Sequence, residues 1–128
     1  MKLLLDTHTL LWFLEDAPQL SSKARNAIST PSNKSYYSLV SIWEISIKIS
    51  LGKLNTASPI NSDFETQLAD QGFHQWIPSF AEIAGVQSLP FHHNDPFDRL
   101  LVSQALSGNA QLVSKDVVFD EYRVNRLW

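Results

Sequence analysis

Leu3-Leu4-Leu5-Asp6-Thr7-His8, at the front of a 128-residue chain, is the stretch from which the fold can be read. Three consecutive leucines show no polar alternation. Such a run suits a strand covered on both faces, as in a parallel sheet between helices. The run stops at a carboxylate, and Thr9 to Leu14 is again apolar and reads as a helix ending near Glu15. A strand that ends in an acid and turns into a helix puts that acid at the carboxyl edge of the sheet. Open α/β folds carry their ligand sites along that edge.

Further units of the same kind follow. Asp16-Ala17-Pro18 breaks the first helix. Ser21 or Ser22 can cap a second, with Ala24, Ala27 and Ile28 at helical spacing. Thr30 to Lys34 reads as a loop and Tyr36 to Val40 as a strand. Ser41 to Leu51 gives two signals. Ile45, Ile47, Ile49 and Leu51 alternate with polar residues, whereas Ser41 and Glu44 have capping-box spacing and Gly52 suits a helix end. Read as a helix, this segment is apolar on more than one side and needs a second partner.

Lys53 to Ser58 reads as a loop, Pro59 to Gly72 as a helix and Phe73 to Ile77 as a short strand. A helix from Pro78-Ser79 to about Ser88 and a loop from Leu89 to Asn94 come next. Asp95-Pro96 has the form of an N-cap and first helical position, and the helix it opens runs to Gly108. Gln111 to Ser114 reads as a strand, followed by a helical turn near Val118 to Tyr122 and a last strand near Val124. The expected fold is a three-layer α/β/α sandwich with a mainly parallel sheet, one domain over residues 1–128.

Composition narrows the function. The chain is 44% hydrophobic with a formal net charge of −3, so it lacks the basic footprint of a protein that coats nucleic acid by charge alone. It has no cysteine, which excludes disulfides, thiolate metal sites and cysteine nucleophiles. No apolar run reaches bilayer length, and Asp6 interrupts the only candidate for a signal-peptide core. A cytoplasmic location, away from any membrane, is the expectation.

Asp6, Glu44, Asp98 and Asp116 each follow a strand or lie in the first turn of the next helix. Each also has a local explanation, as helix cap, capping-box partner, dipole partner or turn residue. None of these explains why all four should meet at one edge. Two carboxylates about 4 Å apart repel by roughly 4 kcal/mol at an effective dielectric near 20. Such a group takes up protons or holds a cation. Oxygen ligands without cysteine favour Mg²⁺ or Mn²⁺ over zinc. One or two such ions can activate a water against a phosphodiester.

Leu3-Leu4-Leu5-Asp6-Thr7-His8-Thr9, Val40-Ser41-Ile42-Trp43-Glu44-Ile45, Asp95-Pro96-Phe97-Asp98-Arg99-Leu100-Leu101-Val102 and Leu112-Val113-Ser114-Lys115-Asp116 together resemble the four motifs of PIN-domain nucleases. More narrowly they resemble the VapC-type toxins of bacterial toxin–antitoxin systems. The resemblance implies a magnesium-dependent endoribonuclease that cleaves RNA and is silenced by a cognate antitoxin. By matching, it implies Asp6, Glu44, Asp98 and Asp116 as the metal-binding acids and Thr7 and Ser114 as hydroxyls near the metal water. Asp95 reads first as a cap and second as a metal contact. The resemblance also favours the helix over Ser41 to Leu51.

Arg99 and Lys115, next to motif acids, are the candidates to contact RNA phosphate, which positions a substrate without reading sequence. Trp12, Phe13, Trp43 and Ile47 are candidates for an apolar groove that takes the antitoxin or a second copy in a homodimer. His92 and His93 stand beside Asp95, but His8 and His74 are too distant in sequence to suggest a zinc set. Two other classes remain open. A receiver-like Mg²⁺-dependent phosphoacceptor would share strand-end acids and a late lysine, Lys115, but would want paired acids after the first strand. A non-catalytic binding module would keep the fold without the chemistry.

Overall fold

A computed structural model of the chain describes residues 1–56 and 59–128. The expected loop from Lys53 to Ser58 therefore falls partly outside the described residues. Five strands, β1 (Lys2–Leu5), β2 (Lys34–Ser38), β3 (His74–Trp76), β4 (Gln111–Val113) and β5 (Asn125–Leu127), form one sheet in the order β3-β2-β1-β4-β5. All four neighbouring pairs are parallel. The helices are α1 (Thr7–Leu14), α2 (Ser22–Ser29), α3 (Leu39–Ser50), α4 (Ser62–Asp70), α5 (Phe80–Gly85) and α6 (Pro96–Gly108), with short 3-10 turns at Val86–Ser88 and Val117–Glu121. No helix among the described residues is long and apolar enough to cross a membrane.

β1 lies at the centre of the sheet, and its three leucines are fully buried. Side chains of a strand alternate between faces, and the core divides accordingly. Leu3 and Leu5 join Val113 and Leu127 against Leu10 of α1, Ala24 and Ile28 of α2, and Phe64 and Leu68 of α4. Leu4 and Leu112 face the other way, against Leu101, Val102 and Ala105 of α6 and Phe119. Parallel neighbours need crossover connections over a face of the sheet, and these produce the division. The chain runs outward from β1 to β3 under one helical layer and returns to β4 and β5 under the other.

α3 bridges the two layers. Val40 packs with the α6 layer, Ile42 with the α1 layer, and Ile45 is fully buried. This is the partner that the second apolar side of the segment needs. The helix begins earlier than the capping-box spacing suggests. Ser38 is the N-cap and its Oγ accepts the Val40 N–H at 3.2 Å, so Tyr36 to Val40 is strand only as far as Ser38. Ser41 is thereby freed for a long-range contact.

Two other helix boundaries move. α4 starts after Asn61, whose Oδ1 accepts the Asp63 and Phe64 N–H groups, and not at Pro59. α6 ends on Asn109 in the left-handed region, φ 50°. Gly108 meets a different demand: a Cβ there would overlap the Trp76 ring, which also carries the Lys2 ammonium 4.4 Å from its centroid.

Leu4→Ala is expected to lower unfolding free energy by about 2–5 kcal/mol, from lost transfer energy and a residual cavity between β1 and α6. Leu106→Ala, on the exposed face of the same helix, should change it by no more than about 0.5 kcal/mol. Urea denaturation of the two variants measures both.

Candidate active site

The strand order reverses direction between β1 and β4, so their carboxyl ends flank the switch point where open parallel sheets bind ligands. Asp6 leaves β1 there. It is the N-cap of α1, its Oδ1 accepting the Thr9 N–H at 2.8 Å. Its backbone N–H donates to Val113 O on β4. The Ser114 hydroxyl donates to the Asp6 carboxylate and accepts the Asp116 N–H at 3.0 Å. Ser114 thus ties the acid after β1 to the acid after β4. Burial raises the Asp6 carboxyl above its ordinary range, against hydrogen bonds from Ser114 and Thr9 that oppose the rise.

Glu44, on the second turn of α3, is buried and fully partnered. Thr7 donates to its Oε1 at 2.6 Å, and Ser41 Oγ lies 3.0 Å from the same Thr7 hydroxyl. Lys48, one turn on, places Nζ 2.7 Å from Oε2. Thr7 therefore faces Glu44, and Lys48 is an inward counter-ion.

Asp98, in the first turn of α6, has a side chain 22% exposed. Its carboxyl is pushed up to about 8, first by burial and then by the charges of Asp95, Asp6, Glu44 and Asp116. Carboxylates from four separate segments therefore act on this one group. Asp116 follows β4 with its side chain 46% exposed. Its Oδ1 caps the 3-10 turn through the Val118 N–H. Asp95 caps α6, its Oδ1 accepting from Phe97 and Asp98 N–H, so its first reading as a cap is seen directly.

His93 enters this cluster, which spacing along the chain did not suggest. Its Nε2 lies 3.0 Å from Asp98 Oδ2 and 3.3 Å from Asp116 Oδ2. Ligand atoms of His93, Asp98 and Asp116 lie within 4.8 Å of one another. The available signal was its position two residues before the N-cap of α6, too close for the loop to carry it away from Asp98.

Arg99 is a correction. It is buried, and its guanidinium is spent on the protein itself, so it is not free to contact RNA phosphate. Nη1 donates to Pro90 O at 2.8 Å, and Nη2 to Val86 O and Leu89 O at 3.1 Å. Its direction along α6 sends it inward, where carbonyls of the 86–93 segment need donors. Lys115 is exposed beside Asp116.

Of the four apolar candidates, two lie on α1 and two on α3. Trp12 and Phe13 are half-buried against the α1 layer, with Phe13 edge-on to Phe73. Trp43 is 62% exposed and stacks edge-on against Phe97 of α6, beside Val40, Ile83, Val86 and Leu100. Ile47 is half-buried farther along α3.

The Asp98 carboxyl has a consequence for stability without metal. Its folded value near 8 stands above the ordinary 3.8, so between these values the unfolded chain has lost a proton that the folded chain keeps. Stability then falls as pH rises through that window and levels off above 8. Asp98→Asn removes this penalty. In EDTA, its Tm should exceed that of the wild type at pH 8 and match it near pH 4; thermal unfolding at the two values checks this.

The PIN domain family model matches residues 3–125. No curated protein matches the chain. Among solved structures, it is similar to VapBC2 from Rickettsia felis bound to a promoter DNA fragment, with TM-score 0.70, 16% identity and 100% of each chain covered. VapBC-1 from nontypeable Haemophilus influenzae gives 0.63 at 19% identity, covering 98% of this chain and 96% of that one. A toxin–antitoxin complex from Klebsiella pneumoniae gives 0.61 at 16%, covering 94% and 92%. At these identities the likeness establishes the fold. With the family match over nearly the whole length and the strand-end acids gathered about Asp98, the chain belongs to the PIN domain family.

Proposed function

We propose that this chain is a metal-dependent endoribonuclease of the VapC type, the toxin of a toxin–antitoxin pair acting on cytoplasmic RNA. The observation that carries the reading is the meeting of Asp98 and Asp116 at the carboxyl edge of the sheet, where their ligand atoms and that of His93 lie within 4.8 Å of one another, with the charges of Asp95, Asp6 and Glu44 also acting on Asp98. A set of acids this close and this shielded suits a divalent cation. The donor set fits: carboxylate oxygens and no thiolate, as Mg²⁺ or Mn²⁺ requires.

Asp98 and Asp116 would hold the cation directly, with Asp6 beside them and Glu44 as the fourth acid. When bound, the ion supplies Lewis-acid activation of water and charge stabilisation at the leaving oxygen. Ser114 orients Asp6 and Asp116 through its two hydrogen bonds. Thr7 aligns Glu44, and Lys48 offsets part of the site's negative charge. Lys115 remains the candidate for a phosphate contact. The receiver-like alternative loses support, because Thr7, next to Asp6, is committed to Glu44 and stands where that chemistry needs a second acid. The non-catalytic alternative is decided by assay.

The structural neighbours described as VapBC and toxin–antitoxin complexes support an antitoxin partner, and a homodimer is the proposed self-assembly. Of the apolar candidates, Trp43 has the exposure to serve either surface.

Asp6→Asn should cut RNA cleavage by at least about 100-fold and remove toxicity in a host cell, with the circular dichroism spectrum unchanged. EDTA should abolish wild-type cleavage, and added Mg²⁺ or Mn²⁺ should restore it. Retained cleavage in Asp6→Asn removes the reading. Trp43→Ala should weaken self-association or antitoxin binding; sedimentation and co-purification that match the wild type would exclude Trp43 from both surfaces.

A further inference from the structure

His93 is held with unusual care for a loop residue. Its backbone N–H donates to Tyr122 Oη at 2.9 Å, and Tyr122 Oη donates in turn to Pro90 O at 3.0 Å. Buried Arg99 draws in the carbonyls of Val86, Leu89 and Pro90, and its Nη1 stands 3.4 Å from His93 O. The imidazole lies against Phe119, with ring centroids 5.8 Å apart. This clamp joins the loop, α6 and the turn after β4, and the same ring then reaches one acid from each of the last two.

The other ring nitrogen settles which way the proton points. His93 Nδ1 accepts the Asp95 backbone N–H at 3.1 Å. An acceptor nitrogen carries no hydrogen, so in the neutral ring the hydrogen sits on Nε2. Nε2, carrying that hydrogen, lies 3.0 Å from Asp98 Oδ2 and 3.3 Å from Asp116 Oδ2. A metal ligand would need the reverse arrangement, with a lone pair on Nε2 and a hydrogen on Nδ1, where the Asp95 N–H already points.

We propose that His93 is a positioning residue of the metal site: an N–H donor that spans Asp98 Oδ2 and Asp116 Oδ2 and holds the two carboxylates at shared-ligand spacing, without itself ligating the ion. This rests on the metal-site reading above and adds a residue to it. Outer hydrogen-bond partners of this kind typically contribute about 10- to 100-fold to metal affinity.

Two measurements on the wild type and two variants test it. In the metal-free protein at alkaline pH, ¹⁵N NMR should show the His93 hydrogen on Nε2 and an unprotonated Nδ1. With Mn²⁺ bound, electron spin-echo spectroscopy should show no directly coordinated imidazole nitrogen. By calorimetry, His93→Ala should bind Mn²⁺ at least about tenfold more weakly. His93→Gln, whose amide N–H can still donate, should recover part of the loss. A hydrogen on Nδ1, a directly coordinated nitrogen, or equal Mn²⁺ affinity in wild type and His93→Ala would each overturn the proposal. A wild type that binds no Mn²⁺ at all would instead overturn the metal-site reading, and this proposal with it.

Discussion

Negative charge packed around Asp98 is the constraint on which the candidate site depends. A carboxyl driven to about 8 by burial and by four neighbouring acids is a local cost to the fold. Nothing in the packing of the core requires it, since the two apolar layers close around β1 without these side chains. The cost is tolerable because it is confined to one edge and partly offset there. Lys48 neutralises Glu44, Ser114 and Thr9 solvate Asp6, and the His93 ring stands between Asp98 and Asp116. A divalent cation would offset the remainder, which ties the chemistry proposed for the site to the electrostatics of the fold itself.

The scaffold supplies rigidity where that edge needs it. β1 and β4 are adjacent and parallel, and their buried side chains face both helical layers. Their carboxyl ends can therefore shift little relative to each other. The Asp6 N–H bonds Val113 O, the Thr9 hydroxyl bonds the same carbonyl, and Ser114 links Asp6 to Asp116. α3 crosses both layers and brings Glu44 in from the side, where Thr7 meets it. α6 brings Asp98 from the opposite layer. The loop before α6 is fastened by Arg99 and Tyr122, so every acid rests on an element or a clamp.

Much of this was legible in the residues. The leucine run ending in Asp6 implied a central strand and an acid at its carboxyl end. The Asp95-Pro96 cap placed α6, and with it Asp98. The periodicity over Ser41 to Leu51 is ambiguous because α3 is apolar on two sides and touches two layers. Its true cap, Ser38, was hidden because Ser41 offered the same chemistry three residues later. Arg99 was misread because a charged neighbour of a motif acid looks like a surface group until the direction of its side chain is known.

Sequence alone determined the order of strands and helices along the chain and the buried character of β1, because these follow from local polarity, caps and short-range periodicity. Tertiary structure decided what the acids face. Thr7 and Glu44 are 37 residues apart, and His93 reaches Asp116 only because α6 and β4 bring the chain back beside the loop. Contacts of that kind depend on the path of the backbone through the sheet and on which way each side chain leaves its helix. Neither is encoded in spacing along the chain.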